Sequence, residues 1–146
     1  MKSKGTSKEG GFTKIEARTW ANYLIATGGM VNWSDDPNTI SDEGYQIVKK
    51  TFEHGSGNMG IPLDYEKTTL PAKWVRREKD RIYVSLFNWG DKRIKITVTG
   101  DEVPELKNGT TGADVLTGQV FDVKSNRLEA DLEPHASVCV EIKTTK

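Results

Sequence analysis

The sequence predicts a mainly β protein: an antiparallel β-sandwich preceded by a helix–strand–helix segment. Three observations carry that expectation. After residue 80, four segments alternate apolar and other residues with period two, which is the periodicity of a strand. Turn formers separate them: Asn88-Trp89-Gly90-Asp91, Asn108-Gly109 and Thr117-Gly118. Before residue 55 the apolar spacing is helical instead, so the composition changes once along the chain.

Residues 1–11, rich in Lys, Ser and Gly, hold no apolar run. They read as a disordered tail and not as a secretory signal. The next unit, 12–57, opens with a helix over roughly 13–27. Ala17, Trp20, Ala21 and Leu24 fall at i, i+3, i+4 and i+7, the spacing of one buried face. Gly28-Gly29 ends this helix, because glycine readily takes the left-handed conformation. Met30 to Trp33, bounded by turn formers, reads as a short strand. Ser41 is an N-cap, and Asp42 and Glu43 sit in the first turn where the helix dipole favours negative charge. Tyr45, Val48 and Phe52 line one face of this second helix. A lone strand leaves its backbone groups unpaired, so 12–57 looks cut from a larger α/β unit with parallel strands on either side. The stripe on the first helix needs a cover, either the sandwich or a second copy of the chain.

Residues 58–146 form the predicted sandwich. Ile82, Val84 and Leu86 alternate with Tyr83, Ser85 and Phe87, so both faces are covered, as in a central strand. Ile94, Ile96 and Val98 alternate with polar residues and imply one wet face. Leu128-Ala130-Leu132 and Val138-Val140-Ile142 follow the same rule. Regular short strands joined by turns favour a sandwich over βαβ units.

Composition excludes several classes of function. Lys plus Arg (21) equals Asp plus Glu (21), which removes the basic surface that nucleic acid needs and any polybasic membrane patch. No apolar run approaches the roughly 18 residues that cross a bilayer. The single cysteine, Cys139, cannot form an internal disulfide, so nothing marks an oxidising compartment and the default location is cytoplasmic. His54 and His135 lie far apart with no metal-ligand spacing, and no cofactor fingerprint is present.

Several segments together resemble one family. Phe87-Asn88-Trp89-Gly90-Asp91, Asp114-Val115-Leu116-Thr117-Gly118 and Leu132-Glu133-Pro134-His135-Ala136-Ser137 are similar, in this order, to the C-terminal sandwich of α-galactosidase (melibiase)-like glycoside hydrolases. Trp20 to Thr27, Gly28-Gly29 and Ser34-Asp35 resemble the seventh helix and eighth strand of the preceding catalytic barrel, and 38–52 its eighth helix. The resemblance implies that 12–57 is a remnant of a (β/α)8 barrel. It also implies catalytic aspartates on earlier strands, and those segments have no counterpart here. A barrel needs about 250 residues, so the chain is expected to be inactive alone.

Asp35 follows the expected barrel strand, where barrel active sites form. It and Trp33 are the candidates for binding substrate in an intact enzyme, against the plainer reading of a polar loop. Trp89, in an expected hairpin turn, is the candidate for sugar stacking and the one of Trp33, Trp74 and Trp89 expected to be most exposed. Packing is the favoured role for Trp33, Trp74 and Trp89 alike. His135 is expected to hydrogen-bond backbone and Cys139 to be a small buried side chain. Three functions compete: a glycosidase fragment, with the missing barrel portion or a second copy as partner; a stand-alone module that binds carbohydrate; and a protein-interaction sandwich.

Overall fold

A computed structural model describes residues 12–34 and 36–144. The expected tail, 1–11, lies outside the described residues. Two helices come first, α1 (Lys14–Thr27) and α2 (Asp42–Gly55). Eight strands follow: β1 (Ile61–Pro62), β2 (Lys73–Arg77), β3 (Arg81–Phe87), β4 (Ile94–Thr99), β5 (Thr111–Asp114), β6 (Val120–Asp122), β7 (Arg127–Leu132) and β8 (Ser137–Lys143). They form a six-stranded sheet in the order β1-β2-β3-β8-β5-β6 and a two-stranded sheet β4-β7. Every pairing is antiparallel.

The large sheet is the middle of three layers. One face of it, with Ile82, Val84 and Leu86 from β3 and Val138, Val140 and Ile142 from β8, meets Ile96, Val98, Leu128, Ala130 and Leu132 of the small sheet. The opposite face carries Tyr83, Phe87 and Cys139, against which α1 packs Ile25 and Ala26. This is why β3 has no polar side: its Tyr83/Ser85/Phe87 face is roofed by a helix.

The helices start as their sequences require. Thr13 caps α1 through the N–H of Glu16, and the Glu16 carboxylate accepts from the N–H of Thr13, a reciprocal capping box. Ser41 caps α2 through the N–H of Gly44. α1 ends at Gly28, whose φ of 69° places it in the left-handed region. A side chain there would also run into the carbonyl oxygen of Asn58, so only glycine fits.

One expectation fails. Met30 to Trp33 is not a strand. A strand is defined by pairing, and no pairing partner lies beside it among the described residues. Of the two covers open to the stripe on α1, the sandwich is not the one used: the face turned to the sandwich is Thr19, Asn22, Ile25 and Ala26, while Trp20 is 52% exposed. Polar contacts decide that rotation. Thr19 donates to the carbonyl of His135 (2.6 Å) and Asn22 to the hydroxyl of Ser137 (2.9 Å).

Arg76 of β2 fastens both helices to the sheet. Its side chain is buried, 1% exposed. Nη1 donates to the carbonyls of Ile25 (2.6 Å) and Gly55 (3.2 Å), and Nη2 to that of His54. These are last-turn carbonyls of α1 and α2, which a helix cannot satisfy itself. They are also the negative ends of two helix dipoles. The guanidinium lies over the Tyr83 ring, 4.4 Å from its centroid. Nε is 3.2 Å from Glu78 Oε1 but has no hydrogen-bond partner, so that contact is Coulombic only.

Arg76→Met should leave three buried carbonyls without a donor. At about 1–3 kcal/mol for each orphaned group, the chain should lose at least about 3 kcal/mol in urea unfolding. Arg76→Lys should recover only part, since an ammonium cannot fork across both helix ends. An unchanged urea midpoint for the methionine variant would contradict the clamp.

Candidate functional site

The residues proposed from sequence do not gather at one place. Trp33 lines a groove of about 190 Å³ between α1, the extended segment 31–34 and α2. Ala17, Trp20, Ala21 and Leu24 form one wall, so the expected stripe of α1 faces this groove and not the sheet. Ile47, Val48 and Phe52 of α2 form the other wall. Phe52 is 44% exposed. Among the described residues the buried indole N–H of Trp33 has no hydrogen-bond partner, and an unmet buried donor costs free energy. Asp35 lies outside the described residues. Its neighbour Asp36 serves the local turn, where Oδ1 accepts from the backbone N–H and the amide of Asn38.

Trp89 sits in the connection from β3 to β4, which crosses from the large sheet to the small one; it is not the expected hairpin, because β3 pairs with β2 and β8 while β4 pairs with β7. It is half-buried, as Trp33 is, while Trp74 is buried. Its ring stacks on Phe87 (4.9 Å, 4°), meets Tyr23 of α1 edge-on, and donates its N–H to the carbonyl of Pro71. The rest of this 87–91 motif is structural too. Asn88, buried, donates to the carbonyls of Lys92, Leu132 and Glu133 and accepts from the N–H of Gly90, which ties the β3–β4 connection to the end of β7. The His135 ring was expected to bond backbone; instead its Nε2 meets Asp91 Oδ1 at 2.8 Å, with the residue in the left-handed region at a φ of 62°.

Two carboxylates of the sandwich region are occupied by backbone. Asp114 accepts from the N–H groups of Cys139 and Thr117 and from the Thr117 hydroxyl. Asp64 accepts from those of Ala72 and Lys73. Neither is a free acid or nucleophile. Cys139 is fully buried, and burial pushes its thiol up to about 12, so it is no nucleophile either. Among the described residues no three His, Cys, Asp or Glu side chains group to hold a metal. No described helix is long and apolar enough to cross a membrane.

One polar cluster escaped the sequence reading. His54, at the end of α2, has Nδ1 3.0 Å from the Tyr83 hydroxyl and 3.3 Å from Glu141 Oε2. Arg81 approaches the same carboxylate oxygen at 3.4 Å. Burial lowers the His54 pKa below 6.5, with Glu141 pulling the other way. The signal available was the alternation Tyr83/Ser85/Phe87, which marks a face needing a cover, but nothing in sequence named α2 as that cover.

No family model and no curated protein sequence matches the chain. Solved structures do match in fold. A β-L-arabinopyranosidase of Geobacillus stearothermophilus is 16% identical, with a TM-score of 0.75 over 92% of this chain and 31% of its own. α-Galactosidase I of Mortierella vinacea is 16% identical, with a TM-score of 0.70 over 92% and 37%. The isomalto-dextranase of Arthrobacter globiformis is 20% identical, with a TM-score of 0.73 over 92% and 24%. The fold is that of a portion of α-galactosidase-like glycoside hydrolases. The chain spans about a quarter to a third of the enzymes it matches. These three enzymes differ in activity, so this α-galactosidase-like fold does not fix a substrate.

The lowered His54 pKa has a defined consequence for stability. The unfolded chain protonates His54 more readily than the folded one. Stability is therefore complete above pH 6.5, the unfolded value, and falls as the pH drops below it. His54→Gln should flatten the stability profile just below that pH. It should leave the steeper loss at lower pH, where Asp80 and Glu105, whose pKa values Arg81 and Arg77 hold down, become protonated. A profile unchanged by the substitution would contradict this.

Proposed function

We propose that this chain is the C-terminal part of an α-galactosidase-like glycoside hydrolase, structural and accessory in role, and not catalytic alone. The observation that carries it is the segment 31–34. It joins two helices without pairing as a strand among the described residues, while flanking side chains form an apolar groove open to solvent. A segment joining two helices is where a parallel α/β unit places a strand of its sheet. The structural neighbours support the same reading, since the shared part is 24–37% of each of them.

On this reading α1, 31–34 and α2 are the closing pieces of a (β/α)8 barrel. The remaining strands and helices would cover Trp20, Leu24, Val31 and Phe52, and would bring an acceptor to the Trp33 N–H. The two sheets hold the helices from one side, through Arg76 and through the bonds of Thr19 and Asn22 to His135 and Ser137. Retaining hydrolysis needs two carboxyl groups facing each other across the bond. Asp64 and Asp114 are committed to backbone, and Asp36 to its own turn. Asp35 would meet substrate only once the barrel is complete.

The purified chain should show no turnover of nitrophenyl α-galactoside or α-glucoside while giving a β-rich circular dichroism spectrum. Turnover abolished by Asp35→Asn would place a complete site in this chain and overturn the reading.

Without its barrel the apolar groove should also drive self-association. Sedimentation should show a concentration-dependent species that Trp20→Lys with Phe52→Lys removes, at little cost in Tm because both side chains are substantially exposed. A strict monomer that binds no hydrophobic dye would count against the docking face.

A further inference from the structure

We propose that the outer edge of β7 is a docking site for an extended segment of another protein, one that alternates apolar and basic residues and joins the small sheet as its third strand. The proposal goes beyond the glycosidase reading and does not use the barrel. β7 pairs with β4 on one side and with no strand on the other among the described residues.

The register sets which backbone groups point outward. The N–H of Gly100 donates to the carbonyl of Asn126, one step beyond the last β4–β7 pair. Bonded and unbonded pairs alternate along an antiparallel ladder. Leu128, Ala130 and Leu132 therefore bond β4, and the N–H and C=O groups of Glu129 and Asp131 point away from it. Arg127 shows the same direction, since it exchanges two backbone hydrogen bonds, of 2.9 and 3.1 Å, with Lys124.

That exchange starts a hairpin which then splits. Ser125 and Asn126 turn it with left-handed φ values of 51° and 57°, but β6 runs into the large sheet and β7 into the small one. Zipping it further would set Asp122 directly opposite Glu129, and like charges so placed repel. The two strands instead flank a groove of about 540 Å³. Other strand edges are blunted. On β4 the carbonyl of Thr97 accepts from Lys73 (3.0 Å) and the N–H of Thr99 donates to Glu102 (2.9 Å). β1 is two residues long and holds Pro62. β7, six residues long, has no such cap among the described residues.

The groove sets the chemistry of the guest. Its floor is apolar, with Phe121, Ala130, Leu132, Ala136 and Val138. Its charged lining is four acids, Asp114, Glu129, Asp131 and Glu133, and two bases, Arg18 and Arg93. Asp114 is committed to backbone N–H groups, Arg18 to Glu43, and Arg93 to Asp131 and Glu133. Among the described residues exposed Glu129 meets no cation, only the Thr97 hydroxyl at 3.4 Å. A strand beside β7 lays alternate side chains over the floor and beside Glu129, so the guest is apolar inward and basic outward. A second copy fits poorly. Antiparallel self-pairing about Ala130, the register that uses the backbone groups of both Glu129 and Asp131, sets these two acids against each other.

The test is a titration of the 15N-labelled full chain with a blocked heptapeptide alternating valine and lysine. The amides of Glu129 and Asp131 should shift saturably and exchange more slowly with solvent, while the indole N–H of Trp20 should not move. The same peptide N-methylated at its lysines, whose N–H groups face β7 in the ladder, should not bind, nor should one with glutamate in place of lysine. Glu129→Lys should weaken binding by about fivefold, since a cross-strand ion pair becomes a repulsion. Glu129→Pro removes an N–H that β4 does not use, so it should keep the fold and lose the binding; if it does not fold, the N-methylated peptide and Glu129→Lys decide. No saturable shift, shifts centred on Trp20, undiminished binding of the N-methylated or glutamate peptide, or unchanged affinity in Glu129→Lys would each overturn the proposal. Self-association that Glu129→Pro removes would assign the edge to a second copy and overturn it too. A failure here leaves the barrel reading untouched, because that reading is judged by turnover and by the Trp20 and Phe52 variants.

Discussion

The buried guanidinium of Arg76 is the interaction on which the arrangement of layers depends. Burying a charge is expensive unless hydrogen bonds offset the lost hydration. Here the partners are the carbonyls that end two helices, which are themselves costly to bury unsatisfied. Each side solves the other's problem. α1 and α2 end at one point on β2 for that reason, and His54 arrives beside Tyr83 and Glu141 as a result. With the helix ends fixed there, the groove between the helices has defined walls even without anything to fill it.

The sandwich was legible because its signal is local. Ile82 to Phe87, Ile94 to Val98, Leu128 to Leu132 and Val138 to Ile142 all became strands, since period-two alternation reports a face directly. Short strands β1, β5 and β6 were missed. With only two to four residues each, they carry too few alternations to register. β2 was missed for another reason. Lys73-Trp74-Val75-Arg76-Arg77 reads as polar, and only the fold reveals that Arg76 points into the protein.

The helical segment shows the limit of periodicity. Helical spacing in α1 correctly named an apolar face, but it could not say what lies opposite. The face bound to the sheet was chosen by Thr19 and Asn22, two polar residues that a hydrophobic pattern ignores. The 87–91 motif behaves similarly. Asn88, Trp89, Asp91 and His135 were visible as a family signature. Their division of labour, with Asn88 as a clamp, Trp89 as a stacked ring and His135 as a brace for Asp91, required coordinates. Of the barrel-side candidates, Trp33 lies in the groove, while Asp35 falls outside the described residues.

The pairing of α1 with β8 also bears on how the chain is made. Thr19 and Asn22 bond to residues 116 and 115 positions later. A ribosome adding about 5–20 residues per second would take on the order of ten seconds to deliver the strand on which the first helix rests. Before then α1 can rest on β2 and β3, where Ala26 meets Trp74 and Phe87, while Ile25 still lacks Cys139. The polar anchors of the first helix, Thr19 and Asn22, are therefore among the last contacts of the chain to close.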